Sequence, residues 1–208
     1  MGNSVKNLVL FYFIFFCAVP AYSAIKGGID YKIPIDYSKI NQEQLNEKAK
    51  MYYDNAITSR TLNDDMTTAL NLYTILTKQN PDNVEYSLRL GKLYDVIHKD
   101  RYAKGEYYKA ISLKPSAPEP YFYLGDYFYD RGQYKKALKF YTLAYDKGYN
   151  NHQQTLIKIG DIYQKFGDTK LALQYLTSAT NIGQNAELNQ KIQELKDFSL
   201  NNKEYYRK

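Results

Sequence analysis

The sequence predicts an all-α protein in which antiparallel helix pairs stack into a helix–turn–helix solenoid with a C-terminal capping helix. Glycines recur at Gly91, Gly125 and Gly160, which are 34 and 35 residues apart. Each glycine is followed by an aromatic residue after three positions, by an Ala after 12 and by a second Ala 7 positions later. Because this spacing returns three times at nearly one period, we expect a repeated structural unit.

The three copies resemble the tetratricopeptide repeat, a pair of antiparallel helices of 34 residues. The residues that carry the resemblance are Leu90-Gly91, Tyr94, Ala103, Tyr107, Ala110 and Pro115; Leu124-Gly125, Phe128, Ala137, Tyr141 and Ala144; and Ile159-Gly160, Tyr163, Ala172, Leu176 and Ala179. The copies span residues 84–117, 118–152 and 153–186, with His152 as an additional linking residue. The resemblance extends over residues 50–186 and implies a superhelix whose first helices line a concave groove.

Small residues indicate how the two helices of one repeat pack. We expect the three repeat glycines to lie where the second helix crosses closely, since a side chain there would separate the pair. The matching small surface is predicted at Ala103, Ala137 and Ala172, while Tyr107, Tyr141 and Leu176 are predicted to face the next repeat. The turns within the repeats are predicted at Asp100-Arg101, Arg131-Gly132 and Gly167-Asp168.

The flanks of the repeats follow the pattern less closely. Residues 41–83 are predicted to form a helix pair with a degenerate repeat, in which Ile57 replaces the glycine and Arg60 the aromatic residue. Either the first helix packs differently there or its register slips. Apolar residues at helical spacing from Leu188 to Phe198 predict a capping helix at 187–200, followed by a polar tail at 201–208.

The first 23 residues have the pattern of a secretory signal peptide. Lys6 precedes an apolar run at residues 8–19, and Pro20 and small residues lead to a predicted cleavage after Ser23. Alternatives are lipoprotein acylation at Cys17, which Phe16 disfavours, and an uncleaved anchor, which the short apolar run disfavours. We therefore expect an exported, periplasmic or secreted protein of bacterial type, meeting a membrane only through this peptide. Residues 24–40 are predicted to be an extended arm or linker.

Composition limits the function classes. The net charge is +6, and the basic residues form no run of like charge, which argues against nucleic acid as a partner. Cys17 is the single cysteine, and His98 and His152 are the two histidines. Without Cys or His at ligand spacing we expect no metal and no cofactor.

Partner binding is expected on the first helices. Applying the family's groove register to this sequence gives as candidate partner-binding residues Leu88, Arg89, Lys92, Phe122, Tyr123, Asp126, Tyr129, Ile157, Lys158 and Asp161. The other groove positions are Glu85, Asp95, Glu119, Gln154 and Gln164. Solvent-facing aromatic residues are typical of interfaces, so Phe122, Tyr123 and Tyr129 either meet a partner or pack on a neighbouring helix or second protomer.

We therefore expect an exported, non-enzymatic scaffold that binds a protein or peptide in the groove, with envelope assembly as one setting. One alternative is a homo-oligomeric, self-assembling structural protein. A weaker one is a glycan or peptidoglycan binder that uses Tyr129 and Asp126. Asp126 and Asp161 could form an acid–base pair, but no nucleophile set or phosphate loop accompanies them. The Lys/Asn/Arg carboxylate clamp of some family members is not carried by this sequence.

Overall fold

The structure, a computed structural model, describes residues 41–205, and it describes side chains over residues 41–200. The predicted signal peptide at 1–23 and the predicted arm at 24–40 lie outside the described residues. Within 41–205 the chain forms nine α-helices and a short 3-10 helix at Tyr149–Asn151, with no strand. The helices are α1 (Gln42–Ser59), α2 (Asp64–Gln79), α3 (Val84–Val96), α4 (Asp100–Leu113), α5 (Glu119–Asp130), α6 (Tyr134–Asp146), α7 (Gln153–Lys165), α8 (Thr169–Thr180) and α9 (Ala186–Tyr205).

Several helices begin at a side chain that satisfies a free backbone N–H. The Asn41 side chain accepts a hydrogen bond from the Gln44 N–H at 2.8 Å. Asn63, Asn83 and Asp168 cap α2, α3 and α8 in the same way. Such caps stabilise a helix by about 1 kcal/mol each, so they fix where these helices start.

Consecutive helices pack as antiparallel pairs: α1 with α2, α3 with α4, α5 with α6 and α7 with α8. Each second helix also contacts the first helix of the next pair, and α9 packs on α8. The first helices α1, α3 and α5 contact one another in succession, so they line the inner side of the stack. The predicted all-α helix–turn–helix solenoid is confirmed.

The repeat glycines allow a large side chain to approach. A Cβ atom on Gly91 would lie 2.8 Å from the ring of Tyr107, and one on Gly125 would lie 2.7 Å from the ring of Tyr141. On Gly160 it would lie 2.8 Å from Cγ of Leu176. The close approach was predicted, but its partner was predicted wrongly. The glycine accommodates the large residue that follows the alanine by four positions, rather than the alanine itself.

One intra-repeat turn also differs from the prediction. Asp100 is the first residue of α4, and the turn before it is made by His98 with φ 57°. Gly132 and Gly167 take this left-handed position in the next two repeats, with φ 68° and 80°. His98 therefore occupies a backbone conformation that favours glycine.

The first helix pair departs from the later repeats in its first helix. α1 has 18 residues where α3 has 13, and it ends at Arg60 in the left-handed conformation with φ 52°. Ala56 is fully buried whereas Ile57, the predicted glycine equivalent, is half-buried. A fully buried small residue thus stands one position earlier than the repeat glycine would, and Arg60 is a helix cap.

α9 closes the C-terminal end of the stack. Leu188, Ile192 and Leu195 are buried against the last pair. The helix continues to Tyr205, so residues 201–205 are helical and the predicted boundary at 201 is not a helix end.

The outer face of α9 explains why the stack ends there. Asn189, Gln193 and Lys196 lie 33 positions after Leu156, Gly160 and Tyr163, the residues of α7 that face its own second helix. All three α9 residues are exposed. A polar face in place of an apolar one is what a terminal helix requires to remain in water.

Candidate partner-binding surface

Nine of the ten predicted partner-binding residues are half-buried on the inner side of α3, α5 and α7. The tenth, Leu88, is 7 % exposed and packs in the core, so it is unavailable to a partner. We call the other nine the inner surface: Arg89, Lys92, Phe122, Tyr123, Asp126, Tyr129, Ile157, Lys158 and Asp161. Two cation–aromatic contacts lie on this surface, one at Arg89 and one at Lys158.

The first contact lies at Arg89 on α3. Its Nη2 and Nε atoms both lie 2.8 Å from Oε1 of Glu85, and its guanidinium carbon lies 4.7 Å from the centre of the Tyr53 ring. Glu85 is exposed, so this ion pair is weak. The Tyr53 ring beneath the guanidinium makes a second contact that holds the Arg89 side chain.

Lys92, one turn further along α3, pairs with a buried carboxylate instead. Its Nζ lies 3.5 Å from Oδ2 of Asp95, which is 5 % exposed. Oδ1 of the same carboxylate accepts a hydrogen bond from Nη1 of Arg131 at 2.7 Å. Lys92 and Arg131 therefore compensate a buried charge, and removing either would leave that charge poorly paired.

Phe122 and Tyr123 are held by rings of this chain. Phe122 makes ring contacts with Tyr141, Tyr149 and His152 at centroid distances of 5.6, 5.9 and 5.0 Å. Tyr123 stacks on Tyr107 at 6.2 Å. Packing on a neighbouring helix, one of the two interpretations left open by the sequence, therefore describes Phe122.

Asp126 is a half-buried member of the inner surface. Its Oδ1 accepts a hydrogen bond from the Tyr141 hydroxyl at 2.6 Å. Burial raises the pKa of the Asp126 carboxyl, and the hydrogen bond from Tyr141 and the charge of Lys158 counteract part of that rise. One oxygen of the carboxylate is thus used in an internal hydrogen bond.

Tyr129 carries the next charge–aromatic contact. Nζ of Lys158 lies 4.1 Å from the centre of its ring, and the Tyr134 ring contacts it edge to face at 5.5 Å. Nζ of Lys165 lies 4.9 Å from the Tyr134 ring. Burial and the nearby Asp161 carboxylate raise the pKa of Tyr129 to about 12, so its hydroxyl stays protonated at neutral pH.

A cleft opens at the C-terminal end of this surface. Its volume is about 330 Å³, and it is lined by Tyr129, Asp161, Gln164, Lys165 and Lys191. Lys191 of α9 donates to Oδ1 of Asp161 on α7, which joins the capping helix to the last repeat.

Among the described residues, no three His, Cys, Asp or Glu side chains are grouped as metal ligands would be. None of the helices between residues 41 and 205 is long and apolar enough to cross a membrane.

Comparison with known proteins rests on structure, since neither family models nor curated sequences give a match. PilF of Pseudomonas aeruginosa superposes with a TM-score of 0.61 at 14 % identity, covering 73 % of this chain and 68 % of that one. A MamA crystal structure gives 0.52 and 24 %, covering 63 % and 74 %. The N-terminal domain of C. elegans stress-induced protein-1 gives 0.50 and 22 %, covering 54 % and 94 %. This chain has the tetratricopeptide-repeat fold.

Within the tetratricopeptide-repeat fold, sequence reasoning missed the residues that complete the surface from outside the three copies. Tyr53 lies beneath Arg89, and Lys191 pairs with Asp161. Lys191 could have been found, because it lies 33 residues after Lys158 when the period is continued into α9. Tyr53 could not, because α1 is out of step with the repeat period.

Proposed function

We propose that this protein is a non-enzymatic scaffold that binds a protein or peptide partner on the inner surface of its solenoid. One observation carries the proposal: Arg89 and Lys158, on different first helices, each rest on a tyrosine ring within 5 Å. Groups held in this way lose little conformational freedom when a partner binds, which lowers the cost of association. Arg and Tyr are also the residues that interfaces favour.

The expected partner has an extended or helical segment with at least one carboxylate. Arg89 would exchange its exposed Glu85 partner for that carboxylate, while Tyr123 supplies apolar contact area beside it. Phe122 and Asp126 hold the Tyr141 side chain through a ring contact and a hydrogen bond. Ile157 forms part of the neighbouring surface on α7. Lys92 keeps its role of compensating Asp95.

Site-specific photo-crosslinking tests where a partner binds. A benzophenone side chain is placed at Tyr123 on α5 in one variant and at Tyr108 in another, since Tyr108 is 48 % exposed on a second helix. A defined protein crosslinked from position 123 and not from position 108 is the expected result. Equal products from both positions would remove the inner surface as the binding site.

Affinity then tests the chemistry of that surface. With the purified partner, we expect Arg89→Glu to weaken binding by about tenfold or more, because it places like charges together. The control is Lys170→Glu, which makes the same change of charge on exposed α8. Unchanged affinity for Arg89→Glu would contradict the proposal.

We also propose that the protein acts after export, in the periplasm or outside the cell, with envelope assembly as its setting. The apolar run at residues 8–19 and the cleavage pattern ending at Ser23 support this. Fusing residues 1–40 to a reporter enzyme active only outside the cytoplasm tests export. Mass spectrometry of the mature N-terminus then distinguishes cleavage from a retained anchor. Light scattering of the purified chain distinguishes a monomeric scaffold from the self-assembling alternative.

A further inference from the structure

The cleft at the C-terminal end of the inner surface is formed by the last repeats and the capping helix. Three first-type helices, α5, α7 and α9, contribute its lining. α9 stands where the next repeat would begin and has no second helix among the described residues. The cleft therefore lies where the inner surface continues onto the capping helix.

The size of the cleft selects a small ligand. A volume of about 330 Å³ is at the lower end of what small-molecule sites occupy in proteins, and it is too small for a packed helix. One or two sugar-sized rings would fill it.

The lining is polar and mixed in hydrogen-bonding type. Asp161 supplies acceptors, Lys165 and Lys191 supply donors, and the Gln164 amide supplies both. Hydroxyl groups donate and accept at once, so a polyhydroxylated ring matches this set. Tyr129 adds an aromatic edge with a protonated hydroxyl, and its ring is fixed by Lys158 and Tyr134.

The charges indicate a ligand with one negative charge. Lys165 and Lys191 face one lining carboxylate, Asp161, which is already paired with Lys191. Lys165 remains exposed, with its ammonium group over the Tyr134 ring. Asp161 lines the cleft beside Tyr129, so a doubly charged phosphate would meet more repulsion there than a singly charged carboxylate.

We propose that this cleft binds a pyranose that carries a single carboxylate. Lys165 and Lys191 bind the carboxylate, Gln164 and Asp161 bind the ring hydroxyls, and Tyr129 bounds the ring on one side. The site lies beyond the protein-binding role proposed above and does not depend on it.

Ligand-observed NMR with matched sugar pairs tests the proposal on the chain from residue 24 onward. The acidic probes are glucuronic acid and N-acetylmuramic acid, and their neutral counterparts are glucose and N-acetylglucosamine. We expect at least one acidic sugar to bind and its neutral counterpart to bind about tenfold more weakly. Which acid binds identifies whether the carboxylate belongs to a uronic acid or to an ether-linked side chain. Binding of neither acid, or equal binding of inorganic phosphate, would overturn the proposal.

Variants locate the site. Gln164 and Lys165 are exposed, so Gln164→Ala and Lys165→Gln leave the fold unchanged. Each is expected to weaken binding of the acidic sugar by about fivefold to tenfold. Gln174→Ala and Lys170→Gln make the same substitutions on α8 and are expected to have no effect. Equal losses in both sets would show that the sugar binds elsewhere. Crosslinking from position 123 is measured in the same variants, so failure of this site is distinguishable from failure of the protein-binding proposal.

Discussion

The junction between the second and third repeats is ionic, whereas the junction between the third and fourth is aromatic. At the first, Arg131 bonds Oδ1 of Asp95 at 2.7 Å and Oδ1 of Asp100 at 2.5 Å, with its guanidinium 3.7 Å from the Tyr127 ring centre. At the second, Tyr129 and Tyr134 stand 34 residues after the two aspartates. Phe166 stands 35 residues after Arg131 and is 45 % exposed.

This difference separates what the repeat determines from what it leaves free. The helices pair in the same way at both junctions, because the glycine and the large residue facing it are retained. The ionic junction buries Asp95 and partly buries Arg131, so its polar groups are used internally. The aromatic junction leaves its lysines at the surface and opens the cleft beside Tyr129. We therefore expect the first junction to contribute to stability, and the second is where the proposed sugar site lies.

Replacing the central cation of the ionic junction is expected to have the largest effect. Arg131→Met would leave the buried Asp95 carboxylate with Lys92 as its remaining cation, at a cost of about 3 kcal/mol in the free energy of unfolding. Urea denaturation followed by circular dichroism measures this. Arg101→Met, on the exposed side of α4, is the control and should cost under about 0.5 kcal/mol. A loss below about 1 kcal/mol for Arg131→Met would mean that the junction contributes little to stability.

Two tyrosines occupy the same repeat position but differ in hydrogen bonding. The Tyr141 hydroxyl donates to Asp126, whereas the buried Tyr107 hydroxyl has no hydrogen-bond partner. The residue after the glycine explains this, since it is Asp126 in one repeat and Lys92 in the other. We expect Tyr141→Phe to cost about 1.5 kcal/mol and Tyr107→Phe to be neutral within about 0.5 kcal/mol. Equal costs in urea denaturation would show that the hydrogen bond contributes nothing beyond ring packing.

The pH dependence of stability should differ between Asp126 and Asp100. Burial raises the folded-state pKa of Asp126, so between the ordinary carboxyl pKa and this raised value the native state holds a proton that the unfolded chain has lost. Its contribution to stability therefore falls as pH rises through that window. Asp126→Asn, whose amide oxygen still accepts from Tyr141, should flatten the stability profile there.

The contribution of Asp100 to stability changes with pH in the opposite direction. The hydrogen bond from Arg131 lowers its folded-state pKa, so its contribution is present above the ordinary carboxyl pKa and is lost as pH falls through the lowered value. Arg131→Met should remove that acid-side loss. Both effects are measured by urea midpoints across a pH series, and identical profiles for the wild type and both variants would refute the two assignments.

The sequence predicted the helix pairs because the constraint behind them is local and periodic. Gly91, Gly125 and Gly160 mark the crossing in three of the four helix pairs, and the polar caps mark the starts of several helices. Exposure on the inner side could not be predicted in the same way. Leu88 and Arg89 are neighbours on one helix, and which of them is buried depends on the rings that α1 and α5 bring beside them. Similarly, the sequence alone predicts a surface carboxylate at Asp126, and only the structure shows that the Tyr141 hydroxyl donates to it.

The smallest expected effect concerns the turns within the repeats, where the second repeat again differs from its neighbours. His98 adopts φ 57° at the position that Gly132 and Gly167 fill. A left-handed conformation costs a residue with a Cβ roughly 1–2 kcal/mol, and glycine recovers it while losing about 0.5–1 kcal/mol to the greater freedom of its unfolded chain. We therefore expect His98→Gly to stabilise the protein by about 0.5 kcal/mol and Gly132→Ala, its inverse, to destabilise by about 1 kcal/mol. Thermal and urea unfolding measure both changes. If His98→Gly were destabilising, the exposed imidazole would have to make a stabilising contact large enough to outweigh the backbone strain.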